Sequence, residues 1–104
     1  MDTTIKPDAT AGLNDTLDAL TRRREALLRQ APGMERAANM ADLYRIEAAL
    51  WASLYESATD RLLWRAALAA EVHARQCAAT WWRRAIAQAT PATPAIPAIP
   101  GGAA

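Results

Sequence analysis

A chain of 104 residues with a net charge of +1 and a single cysteine has the length for one small domain and cannot form an internal disulfide. Hydrophobic residues make up 52% of it, but 27 residues are alanine, which buries little area. A lone monomer therefore has a thin core, and the composition favours a partner or self-association. No apolar run approaches the ~20 residues of a membrane span, and the start Met-Asp-Thr-Thr-Ile-Lys-Pro lacks the basic lead and apolar centre of a secretory signal. The expected location is cytoplasmic. Eleven arginines against one lysine, with no phenylalanine, read as the codon bias of a GC-rich bacterial or phage genome.

Residues 1–12 are polar, with Pro7 and Gly12, and are expected to form a flexible N-terminus. Asn14 or Asp15 then caps a first helix, expected over about 14–31, because either side chain accepts a hydrogen bond from the free amides of a first turn. Leu13, Leu17, Leu20, Leu27 and Ala31 recur along it at heptad-like spacing, interrupted by Arg24. Asp18 with Arg22 and Glu25 with Arg29 stand four apart with the acid first, each pair contributing about 0.3 kcal/mol. Pro32-Gly33 ends the helix and sends the next one back antiparallel.

From Met34 to Thr90 there is no glycine or proline for 57 residues, and alanine, leucine and arginine dominate a stretch that reads as helix. Met34, Ala37, Ala41, Tyr44, Ala48, Trp51, Tyr55, Ala58 and Leu62 alternate steps of three and four. A second stripe of Met40, Leu43, Leu50 and Leu54 lies beside the first, so the helix is apolar over more of its circumference than one small neighbour covers. After residue 60 the best series is Leu63, Ala67, Ala70, Ala74, Cys77 and Trp81, one residue out of phase, or about 100° of rotation. The slip marks a stutter or a break. Thr59 or Asp60 can cap a new helix there, and an unbroken helix would be about 84 Å long, so the reading adopted is a break, with helices over about 34–57 and 60–89. The expected fold is all-α, an antiparallel helical hairpin extended to a small three-helix bundle over 13–89. From Thr90 the composition turns to Pro91-Ala92-Thr93-Pro94-Ala95-Ile96-Pro97-Ala98-Ile99-Pro100. A proline at every third position suits an extended polyproline II tail over 90–104, expected to be disordered and to stay out of the core.

Catalysis requires converging acids, bases or nucleophiles with an orienting group. The carboxylates and hydroxyls here are scattered, and no glycine-rich loop is present to cradle a phosphate. No enzyme activity and no cofactor are expected. His73 and Cys77 share a helix face at i, i+4, but two ligands do not make a metal site, and none is expected.

Trp81-Trp82-Arg83-Arg84 is the most informative cluster. Adjacent helical positions diverge by about 100°, so both indoles cannot enter one seam, and tryptophan and arginine dominate binding hot spots. Trp51, Tyr55, Trp64, Trp81 and Trp82 are the candidate anchors for a partner protein, with Arg83 and Arg84 at the rim. Arg22, Arg23 and Arg24, with Arg29 beyond, form the alternative, a phosphate-contacting face. The near-zero net charge and the neighbouring Asp18 and Glu25 argue against nucleic acid. The lack of a continuous basic amphipathic face argues against a membrane surface.

In size and helix-turn-helix layout, over residues 13–60, the chain resembles the small helical co-chaperones of type III secretion needles. It is also similar in format to small phage-encoded inhibitors such as anti-CRISPRs. Either resemblance implies an adaptor, co-chaperone or inhibitor, phage-encoded or associated with secretion; together with the residue reading, the expected function is a non-enzymatic module acting through its Trp-rich helical surface. A homodimer is compatible with it, and a self-assembling coiled coil is the structural alternative.

Overall fold

The computed structural model describes residues 5–89, with side chains from residue 12 onward. Within them the chain is all-α, three helices packed together: α1 (Ile5–Leu28), α2 (Met34–Ser57) and α3 (Arg61–Ala89). The proline-rich tail expected over 90–104 and the first four residues of the expected flexible N-terminus lie outside the described residues.

The first helix departs from expectation at both ends. It begins at Ile5, inside the segment expected to be flexible to residue 12. Pro7 is compatible with this because it falls in the first turn, where an amide would have no intrahelical acceptor. The helix ends at Leu28 rather than at about 31. Its last turn tightens into three-residue steps, with the Arg29 amide donating to the Ala26 carbonyl at 3.2 Å and the Gln30 amide to that of Leu27 at 2.9 Å. Ala31 stands directly before Pro32, whose ring disfavours helical backbone in the preceding residue.

The long glycine- and proline-free stretch does break. α2 stops at Ser57, and Ala58 is extended at φ −76°, ψ 133°. Asp60 then caps α3: its Oδ1 accepts the Leu62 and Leu63 amides at 2.7 and 3.3 Å, and its carbonyl accepts the Trp64 amide at 2.9 Å, the geometry of an N-cap. The phase slip in the apolar pattern is thus the place where the chain reverses.

α2 is the central element. Its closest pairing is with α3, through a seam of alanines: Ala37, Ala41 and Ala48 on α2, and Ala67, Ala74, Ala78 and Ala85 on α3, all buried. Ala41 and Ala48, Ala67 and Ala74, and Ala78 and Ala85 are each seven apart, two full turns, so the small side chains stay on one line along antiparallel helices. With only methyl groups between them, the backbones of α2 and α3 approach within 8 Å repeatedly. On its other apolar face α2 receives α1 through larger side chains, the buried Leu20, Met40 and Leu43. These hold the axes farther apart, because interaxial distance follows side-chain size. Among the described residues, the backbones of α1 and α3 do not come within 8 Å of each other.

Candidate protein-interaction surface

Among the described residues, four cation–aromatic stacks and an ion-pair network between α1 and α2 organise the polar side chains of the bundle. The network is internal. Arg24 of α1 donates from Nη1 to Glu47 Oε1 of α2 at 2.6 Å, with the two side chains only 15% and 18% exposed. The second Glu47 oxygen accepts the Trp51 indole N–H at 3.1 Å, and the Arg24 guanidinium lies 4.5 Å from the centre of the Tyr44 ring. Burial pushes the Tyr44 phenol above its ordinary value of 10.0, against the opposing pull of Arg24. Arg24, the residue that interrupts the α1 apolar stripe, thus enters the stripe with its charge matched.

This placement divides the arginine triplet. Arg24 faces α2, while Arg22 and Arg23 are exposed, as is Arg29. The three consecutive guanidiniums do not form one phosphate-facing surface. Beside them a shallow groove of about 440 Å³ runs between α1 and α2, lined by Leu27, Leu43 and Ile46 with Arg23, Asn39 and Asp42 at its edges. It brings one carboxylate and no histidine or cysteine together.

Arg36 joins all three helices. Its Nη1 donates to the carbonyls of Leu28 at 3.4 Å and Gln30 at 3.2 Å, satisfying acceptors left free where α1 ends, and its guanidinium stands 5.9 Å from the Trp81 ring of α3. On that ring's account Arg84 approaches as well, at 4.5 Å. Trp81 is consequently half-buried between two guanidiniums. Trp82, one position on, turns outward and is 44% exposed, with Arg45 of α2 at 5.4 Å; Arg45 is itself tied to Asp42 at 2.6 Å. Arg83 is exposed and reaches Thr80 Oγ1 at 3.4 Å.

The seven residues picked from the sequence therefore fall into two groups. Trp51 is half-buried, its indole N–H tied to Glu47, and Trp81 is wrapped by Arg36 and Arg84. Tyr55 and Trp64 meet across the α2–α3 turn, ring centres 5.2 Å apart and planes inclined at 35°, leaving Trp64 39% exposed. Trp64 and Trp82 share one outward stripe of α3 with Leu68, Val72, Ala79 and Ile86. Val72 is 47% exposed. The steps along this stripe are three or four residues once Arg75, its single charged member, is counted. Sequence reasoning missed Leu68 and Val72, although their spacing from Trp64 was the available signal. Arg36 and Arg45 were missed because their aromatic partners, Trp81 and Trp82, lie on α3.

His73 and Cys77 stand together on α3, Nε2 and Sγ 3.5 Å apart. No third carboxylate, histidine or cysteine joins them among the described residues. No described helix is long and apolar enough to cross a membrane. The chain matches no protein-family model, no curated protein and no solved structure.

Proposed function

We propose that this protein is a small, non-enzymatic helical module that binds another protein through the outer stripe of α3, as an adaptor, co-chaperone or inhibitor. The observation that carries the reading is the exposure of Trp64, Val72 and Trp82 along one line of α3 that flanks the alanine face packed on α2, with Tyr55 and Arg45 of α2 at its edge. Large rings on a well-ordered helix lose little conformational entropy on binding and desolvate much area, the combination that makes hot spots. Arg45 and Arg75 flank Trp82 around a shallow depression of about 320 Å³ floored by Ala78 and Ala79, which gives an aromatic anchor with a polar rim.

The alternative, an accessory protein for nucleic acid using Arg22, Arg23 and Arg29, has weaker support because Arg24 is withdrawn into the ion pair with Glu47. The two readings differ in their response to salt: phosphate contacts weaken steeply as salt rises, whereas an indole-anchored interface persists. The test is site-specific photo-cross-linking in the cells that produce the protein, with a benzophenone side chain replacing Val72 or Trp82 and, as control, Gln76 on the solvent side of α3. Protein adducts from the first two positions and none from Gln76 are expected. Absence of protein adducts from both stripe positions overturns the reading, and salt-sensitive nucleic acid retained on purification then favours the alternative.

A further inference from the structure

The outer stripe of α3 has a symmetry that specifies its occupant. A two-fold axis placed at Arg75, perpendicular to the helix, carries Trp64 onto Ile86, Leu68 onto Trp82 and Val72 to the neighbourhood of Ala79. Each bulky side chain is thereby set against a bulky one near the ends and against a methyl group near the middle. Arg75 itself would meet its own copy, but it is already paired, its Nε donating to Glu71 Oε2 at 2.8 Å, so the centre carries two ion pairs rather than two bare cations.

Charge along the molecule points the same way. Residues 22–47 and 71–89, which make up the end of the bundle at the α1–α2 turn, contain nine arginines against five carboxylates. Residues 12–21 and 48–70, at the opposite end, contain two arginines against four carboxylates. Two copies laid parallel would place like ends together; laid antiparallel, each basic end lies beside an acidic one. Residues 64–86 span about 33 Å along α3. With the α2 side of the face added, the surface is on the order of 600 Å² in projection, near the ~800 Å² of accessible area that a stable interface buries per partner.

From this geometry we infer that the partner on the outer stripe is a second copy of the same chain, its α3 antiparallel to the first and the two-fold axis passing at Arg75. The pairing is isologous, each copy presenting the same patch. It rests on the reading of this stripe as a protein-binding surface and assigns that surface to self-association, so that a different partner protein would bind there by displacing the second copy.

The experiment uses the full chain. Light scattering on the purified protein in moderate salt is expected to give twice the 11.2 kDa chain mass, and Val72→Glu is expected to return it to the single-chain mass with unchanged helicity by circular dichroism. Independently, Arg75→Cys in a Cys77→Ser background should oxidise to a covalent dimer, since residues on the axis face their own copies, whereas Gln76→Cys in the same background should not. If Val72→Glu loses helicity, the cysteine pair decides alone. A single-chain mass at every concentration, or cross-linking through Gln76→Cys in preference to Arg75→Cys, overturns the inference. The in-cell benzophenone adducts keep the two failures apart. Adducts of twice the chain mass support self-pairing; adducts with a different protein and none of twice the chain mass overturn it while leaving the protein-binding reading standing; no adducts sink both.

Discussion

At the scale of single residues, Arg24 and Glu47 form the most buried ion pair among the described residues. A mostly buried pair gains little over an apolar substitute, but removing one member strands the other's charge. Arg24→Met should therefore cost about 2 kcal/mol in urea unfolding, less than for a fully buried pair because both side chains keep some contact with water. Arg24→Met combined with Glu47→Gln should recover more than half of that loss, since the neutral amide still accepts the Trp51 N–H and leaves no bare charge. If the double variant is as unstable as the sum of its parts, the pair is not the coupled unit described here. Tyr44 supplies a pH signature at the same spot. Its phenol is raised above 10.0, chiefly by burial, so above that pH the unfolded chain releases this proton first and the folded state holds more protons. Its contribution is then fully present below pH 10.0 and is lost as pH rises through the higher folded-state value. The urea midpoint of the wild type should fall more between pH 9 and pH 11 than that of Tyr44→Phe, and equal falls would contradict the burial argument.

Individual helices carry their own tests. Gly12 lies within α1, its φ is not positive, and a Cβ built on it meets nothing within 4 Å. Gly12→Ala should therefore stabilise the protein by roughly 0.5–1 kcal/mol, through the lost backbone freedom of the unfolded chain. A shift of that size is measurable as a raised thermal midpoint, and an unchanged or lowered one would mean that this part of α1 contributes nothing to the folded state. At the start of α3, Asp60→Ala removes the acceptor for two amides and should cost about 1 kcal/mol, with Asp60→Ser recovering most of it. The break between α2 and α3 was legible from the sequence in two ways that agree: the 100° phase slip and the capping residues beside it. The ends of α1 were less legible. Pro7 and Gly12 look like helix breakers by composition, yet a proline in the first turn and a glycine in an otherwise favourable helix are both affordable when the following leucines have a surface to pack on.

For the molecule as a whole, the alanine seam is the decisive packing feature. Ala41→Leu places three extra carbons where two backbones already stand within 8 Å, and overpacking of this kind should destabilise by about 1–3 kcal/mol in denaturant unfolding. A neutral result would show that α2 and α3 have room to separate. Composition and periodicity pointed by themselves to an all-α chain, to a helix end at Pro32-Gly33, to a discontinuity near residues 57–60 and to an α2 that is apolar on two adjoining faces; that the discontinuity is a break capped by Asp60 came from the structure. Only the tertiary structure decided which neighbour takes which face, and with it the fate of the candidate residues: Arg24 drawn into an ion pair with Glu47, Trp51 half-buried beside it, Trp81 wrapped by arginines from two helices, Trp64 and Trp82 left on the outside. The reason is that helical period fixes which residues share a face, whereas the choice of partner face depends on volumes matched across helices distant in sequence. Alanines meet alanines along α2 and α3, and the larger side chains of α1 are left to the other side.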